Sequence, residues 1–177
     1  VSCDEGGDPP CWAHLFDDDV ECAPDQLPEE RSDAQPAVSF GTVRCVAREL
    51  RTFLTFQQGA ATAALDLYRS TFDDFELVSI AHYGPEGPGP DGTVMAATFR
   101  LAGSAFGCAD SPIDHAWGFT PAVSLWIECA DDAEQQRLFD SLSKDGQVYM
   151  PLDGYGFSRR FGWVGDPFGV TWQLNLD

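Results

Sequence analysis

From Arg51 to its last residue the chain writes one order of elements twice, strand, helix, strand, strand, strand, and this repeat limits its folds more than any single motif. The first copy predicts a strand over 51–57 and a helix over about 60–72, with Ala61, Ala64, Leu65, Tyr68 and Phe72 on one face. Strands near 76–83, 93–102 and 104–110 follow, the first two separated by "GPEGPGPDG", which continues neither. After Pro121 the order restarts with a strand at 122–129 and a helix at about 131–143, opened by Asp131 and Glu134 in capping-box spacing. Strands near 146–150, 160–165 and 170–176 complete it, with the glycine-rich "DGYGFS" as a loop between the first two. An offset of 71 residues sets Phe56 on Ile127, Leu67 on Leu138, Tyr68 on Phe139 and Ser70 on Ser141, although the later hairpins do not keep it.

Two such βαβββ modules predict an α+β fold: an open, curved, eight-stranded sheet, a cup with helices on its outer face. Alternation assigns the faces. In the first strand Leu54 and Phe56 point to the helix and Arg51, Phe53 and Thr55 to the open side. In its counterpart Val123, Leu125, Ile127 and Cys129 point to the helix and Ser124, Trp126 and Glu128 away. The turn Gly165-Asp166-Pro167-Phe168-Gly169 launches the last strand, whose Val170, Trp172, Leu174 and Leu176 share one face and whose Thr171, Gln173 and Asn175 share the other.

Ahead of the repeat, residues 1–37 form an acidic, proline-punctuated extension containing cysteines. Residues 38–50 connect it to the domain at 51–177, with halves at about 51–111 and 121–177. In "CDEGGDPPCWAHLFDDDVEC", Cys3, Cys11, His14 and Cys22 offer three thiolates and an imidazole, which suit tetrahedral zinc. Their spacing is not that of a standard finger, and the favoured reading is a tail anchored through Trp12, Leu15 and Phe16. No other cofactor is expected. Cys108 and Cys129, among apolar strand residues, read as small buried hydrophobes.

The formal net charge of −19 argues against nucleic acid and anionic membrane as partners, since both require a basic surface. No apolar run approaches the ~20 residues that cross a bilayer, and the start lacks the form of a signal peptide, so a cytoplasmic protein is expected. His82, Tyr83 and His115 have no partner at a telling spacing and read as packing residues. Ser124 lacks the Gly-x-Ser-x-Gly setting of a hydrolase nucleophile, and no catalytic residue is assigned.

The segments "TFLTFQQGAATAALDLYRSTF", "VSIAHYGPEGPGPDGTVMAATFRLAG", "AVSLWIECAD" and "FGWVGDPFGVTWQL" resemble the PhnB-like branch of the vicinal oxygen chelate superfamily over about residues 51–177. That superfamily also contains glyoxalase, fosfomycin and bleomycin resistance proteins and extradiol dioxygenases. Many PhnB-like members carry a demethylubiquinone methyltransferase label, but nothing here resembles a glycine-rich loop for a methyl donor, and that activity is not expected.

The resemblance implies a homodimer acting on an unidentified small molecule. It also implies a divalent metal held by His, Glu or Gln from equivalent strands, whose positions fall here on Arg51, on Ala122 or Ser124, near Cys108 or Asp110, and on Gln173. A cation and an alanine break that set, so a cup without metal is expected, lined by Arg51, Phe53, Thr55, Ser124, Trp126, Glu128, Thr171 and Gln173. Two alternatives stand beside it: a metal-dependent lyase, isomerase or dioxygenase, and a bleomycin-resistance-like protein that sequesters a cationic or aromatic compound.

Overall fold

The structure is a computed structural model that describes residues 50–177. The 1–37 extension, with Cys3, Cys11, His14 and Cys22, and residues 38–49 of the 38–50 segment lie outside the described residues. The first module contains β1 (Thr52–Phe56), α1 (Ala61–Thr71), β2 (Glu76–His82), β3 (Val94–Leu101) and β4 (Ser104–Asp110). The second contains β5 (Leu125–Glu128), α2 (Asp132–Ser143), β6 (Gln147–Tyr155), β7 (Ser158–Gly165) and β8 (Thr171–Leu176).

The α+β class and the repeated order are as expected, and the eight strands form two four-stranded sheets of identical topology, β1-β4-β3-β2 and β5-β8-β7-β6. In each, the first strand pairs parallel with the last, and the remaining pairs are antiparallel. The parallel pair follows from the helix between the first two strands of each module, which carries the chain across the sheet.

Two boundaries differ from the sequence reading. "DGYGFS" is a hairpin rather than a loop, because β6 continues to Tyr155 and β7 starts at Ser158. Aromatic packing extends the ladder: Phe161 lies 6.0 Å from Tyr155 and 5.1 Å from Phe157. The strand expected over 122–129 shortens to Leu125–Glu128, since Val123 is drawn into a turn by its N–H to the Thr120 carbonyl.

The helix starts are secured in two ways. For α2, Asp131 accepts from the backbone N–H of Ala133 and Glu134, and Glu134 Oε2 accepts from Ala130 N–H at 2.6 Å. Helix α1 begins after Ala60, which has no capping atom, and its first N–H, from Ala61, goes instead to Asp110 Oδ1 at 2.9 Å. A side chain at the end of β4 thus does what the local sequence cannot.

One core joins the two modules. Trp172 of β8 is fully buried, with its ring 5.3 Å from both Tyr68 and Phe72 of the first module. Tyr68 in turn meets Phe99 of β3 at 6.2 Å. Each such side chain contributes roughly 1.5–3 kcal/mol through its burial. Arg137 of α2 reaches the Thr71 carbonyl and pairs with Asp73 at 2.9 Å. Since the helix-covered faces of both sheets meet in this core, the two open faces turn outward.

Candidate functional site

Phe53, Gly107, Thr98 and Ser79 stand side by side in register across the open face of the first sheet. Its floor is small: β4 presents Ala105, Gly107 and Ala109 there, and a Cβ on Gly107 would sit 2.7 Å from the Phe53 ring, so that ring lies against the glycine. Phe53 remains 45% exposed. Arg51 is exposed beside a hollow of about 360 Å³ bounded by Ala105 and Ser104, and Thr55 is half-buried next to Ala109.

The second open face is aromatic and polar. One row runs Trp126, Gln173, Trp163 and the next runs Glu128, Asn175, Phe161. Trp126 is 48% exposed; its ring packs 5.6 Å from Phe161, and its Nε1–H donates to Glu128 Oε1 at 2.6 Å. Glu128 Oε2 accepts from Asn175 Nδ2 at 2.7 Å. The Asn175 and Trp126 bonds together hold the Glu128 carboxyl below its usual value. Trp163 leans on Tyr149 at 5.2 Å, leaving Gln173 between two indoles that stand two strands, about 10 Å, apart at the backbone.

Several polar groups on this face have no mate. Gln173 is half-buried, and its amide has no hydrogen-bond partner among the described residues. Trp163 Nε1 and Asn175 Oδ1 are buried and unpartnered. Ser124 and Thr171 are by contrast satisfied: their hydroxyls lie 2.9 Å apart, and Thr171 also donates to the Val123 carbonyl at 2.7 Å. Thr171 is sealed by this packing.

Among the described residues, the positions matched to the superfamily's metal ligands do not bring their donor atoms together. Cys108 and Asp110, nearest to the acidic ligand position, both point into the helix-covered side. Cys108 is fully buried, with its thiol pushed up to about 12 by burial and then by Asp110. Asp110, 2% exposed, spends its oxygens on the N–H groups of Ala61 and Val94. The β4 residues that do face the open side carry no donor atoms, Arg51 is a cation and Ala122 has no side-chain donor. Among the described residues no group of three or more His, Cys, Asp or Glu is placed to hold a metal ion.

Eight cup residues were expected from the sequence, and the register brings Trp126, Glu128 and Gln173 together on one face and Phe53 and Thr55 on the other. Asn175, Phe161, Trp163 and Tyr149 were not among them. The alternation Phe161-Gly162-Trp163-Val164 already carried the signal for β7. The other histidines sit apart: His115 stacks on Trp117 at 4.2 Å and bonds Ser111, while His82 is exposed at the end of β2.

Against known proteins, residues 48–175 match the family described as 3-demethylubiquinone-9 3-methyltransferase. An uncharacterised protein of Mycobacterium bovis is 32% identical over 124 residues, which are 64% of this chain and 74% of that protein. Protein YjdN of Escherichia coli is 33% identical over 87 residues, 49% of this chain and 58% of YjdN. Among solved structures, a PhnB protein from Bacillus cereus with the same methyltransferase description is 46% identical, with a TM-score of 0.71 over 73% of this chain and all of the other. Protein PA1353 from Pseudomonas aeruginosa is 26% identical, with a TM-score of 0.64 over 74% of this chain and 98% of its own. With its two βαβββ modules, the chain belongs to this PhnB-like family of the vicinal oxygen chelate superfamily.

Proposed function

We propose that the chain binds a small organic molecule on its open sheet faces, as a homodimer and without the divalent metal of its superfamily's enzymes. Gln173 carries this reading: a half-buried amide in register between Trp126 and Trp163 that makes no hydrogen bond to the described residues and stays open to a ligand on that face. Aromatic walls supply affinity, and a few unmet polar groups supply orientation. Arg51, the donor-free β4 face and the inward Cys108 and Asp110 favour a pocket that works through hydrogen bonds and stacking.

The homodimer reading rests on what one chain leaves open. Its helix-covered faces are spent on a single core, so neither open face has an opposite wall among the described residues, and Phe53 and Trp126 stay nearly half exposed. Strands β1 and β5 are sheet edges without a further strand among the described residues, and such edges invite pairing. A second copy laid over these faces closes two equivalent pockets, as two-fold symmetry requires.

A panel of neutral and charged aromatic compounds, titrated into the full chain while the Trp126 and Trp163 indole N–H resonances are followed, tests the reading. Saturable shifts that weaken more than tenfold in Gln173→Ala are expected. A panel that leaves both resonances unmoved, or metal-dependent turnover abolished by the same substitution, overturns it.

A further inference from the structure

We infer that the second open face recognises a planar guanidinium or amidinium cation, with Glu128 as its bidentate acceptor and Trp126 as its stacking surface. This inference rests on the proposed small-molecule role of that face and names the ligand class.

The geometry around Glu128 is specific. Each of its two oxygens is held from the protein side by one donor, Trp126 Nε1–H at 2.6 Å and Asn175 Nδ2 at 2.7 Å. A carboxylate held by one donor at each oxygen is oriented and keeps acceptor capacity at both oxygens, which the parallel N–H groups of a guanidinium or amidinium fork can use together. None of the ion pairs among the described residues involves Glu128, so its charge has no counter-ion among them. Beside it stands the exposed indole of Trp126, and a flat cation stacks on an indole where a compact, strongly hydrated ammonium does so less well.

A second observation points the same way. Asn175 is 4% exposed, and its Oδ1 has no hydrogen-bond partner. It is an unmet acceptor next to a carboxylate, a pair that an N–H-rich cation completes. The formal charge of −19 adds a long-range field that concentrates such a cation near the surface.

Benzamidine is the probe, titrated by calorimetry into the full chain, with the Trp126 indole N–H resonance as site readout; benzamide, its neutral isostere, and benzylamine, its ammonium counterpart, are the controls. Glu128→Gln keeps the carboxylate's shape and removes its charge. Saturable benzamidine binding is expected, at least tenfold tighter than either control, weakened at least tenfold in Glu128→Gln, with the Trp126 resonance shifting as sites fill. Equal binding of benzamide overturns the cation assignment while leaving a small-molecule face, whereas absence of binding by all three overturns the cation assignment and counts against the face as well. If Glu128→Gln instead dissociates the protein and benzamidine does not bind, Glu128 belongs to a contact between copies, and the inference falls. The comparison of benzamidine with benzamide needs no variant, so a poorly folding Glu128→Gln does not shield the inference.

Discussion

The Tyr68 hydroxyl donates to Asp166 Oδ2 at 2.8 Å across 98 residues of sequence, joining the helix of the first module to the turn that launches the last strand of the second. The same carboxylate accepts from Trp172 Nε1 at 3.1 Å and, through Oδ1, from the N–H groups of Phe168 and Val170 at 2.9 and 3.0 Å. Asp166 therefore shapes the turn, fixes the Trp172 ring that separates core from open face, and sets the strand that presents Gln173. Tyr68→Phe keeps the ring contacts and is expected to cost about 1–2 kcal/mol in urea unfolding, with Asp166→Ala costing more because four donors, three of them in buried bonds, lose their acceptor. Equal stability of Tyr68→Phe and the unmodified chain contradicts this.

Burial raises the Asp166 carboxyl above its usual value, while its bonds from Trp172, Tyr68, Phe168 and Val170 pull it back. A folded-state pKa above the unfolded one contributes stability that is fully present below the ordinary aspartate range and is lost as pH rises through the raised value. The stability gap between the unmodified chain and Asp166→Asn is therefore expected to narrow from pH 4.5 to pH 7, a comparison in which other titrating groups cancel. A gap that widens over that range means the four donors outweigh burial.

Two glycines separate structural from surface tolerance. A Cβ on Gly146 would lie 2.1 Å from the Gly165 carbonyl oxygen and 3.0 Å from the Asp166 carbonyl carbon, both backbone atoms that cannot swing aside. Gly146→Ala is expected to destabilise by more than about 3 kcal/mol. Gly107→Ala crowds the Phe53 ring, which is half in solvent and can turn, and meets the Ala97 carbonyl oxygen at an ordinary 3.7 Å, so a cost under about 1 kcal/mol is expected. Thermal unfolding of both variants checks the order, and a reversed order contradicts it.

Cys108 and Cys129 are buried, and burial pushes both thiols up to about 12. Neither is expected to react with iodoacetamide at pH 8 in the folded chain, and both should react in denaturant. Peptide mass mapping reads the two positions separately from the other four cysteines. Alkylation of Cys108 before unfolding would show that β4 opens to solvent.

Much of the fold was legible because alternation and helical periodicity are local. Leu54 and Phe56 against Phe53 and Thr55, and Trp172 and Leu174 against Gln173, follow from period two alone. What was not legible depends on partners distant in sequence. Nothing near Ala60 announces that Asp110 caps α1, and nothing near "DGYGFS" announces that Phe161 packs on Tyr155 and Phe157 to extend a hairpin. The candidate site was half legible for the same reason: Trp126, Glu128 and Gln173 came from strand alternation, whereas the two bonds that orient Glu128 and the missing partner of Asn175 exist only once β5, β7 and β8 are in register.

The central claim, a ligand face that works without a divalent metal, is tested most directly by titrating Mn²⁺ into the full chain at physiological salt and reading paramagnetic broadening of the Trp126 and Trp163 indole resonances on either side of Gln173. Indole resonances that stay sharp, and that respond identically in Gln173→Ala, are the predicted result. Saturable broadening of both, abolished by Gln173→Ala, would contradict the account and return a metal centre to this face.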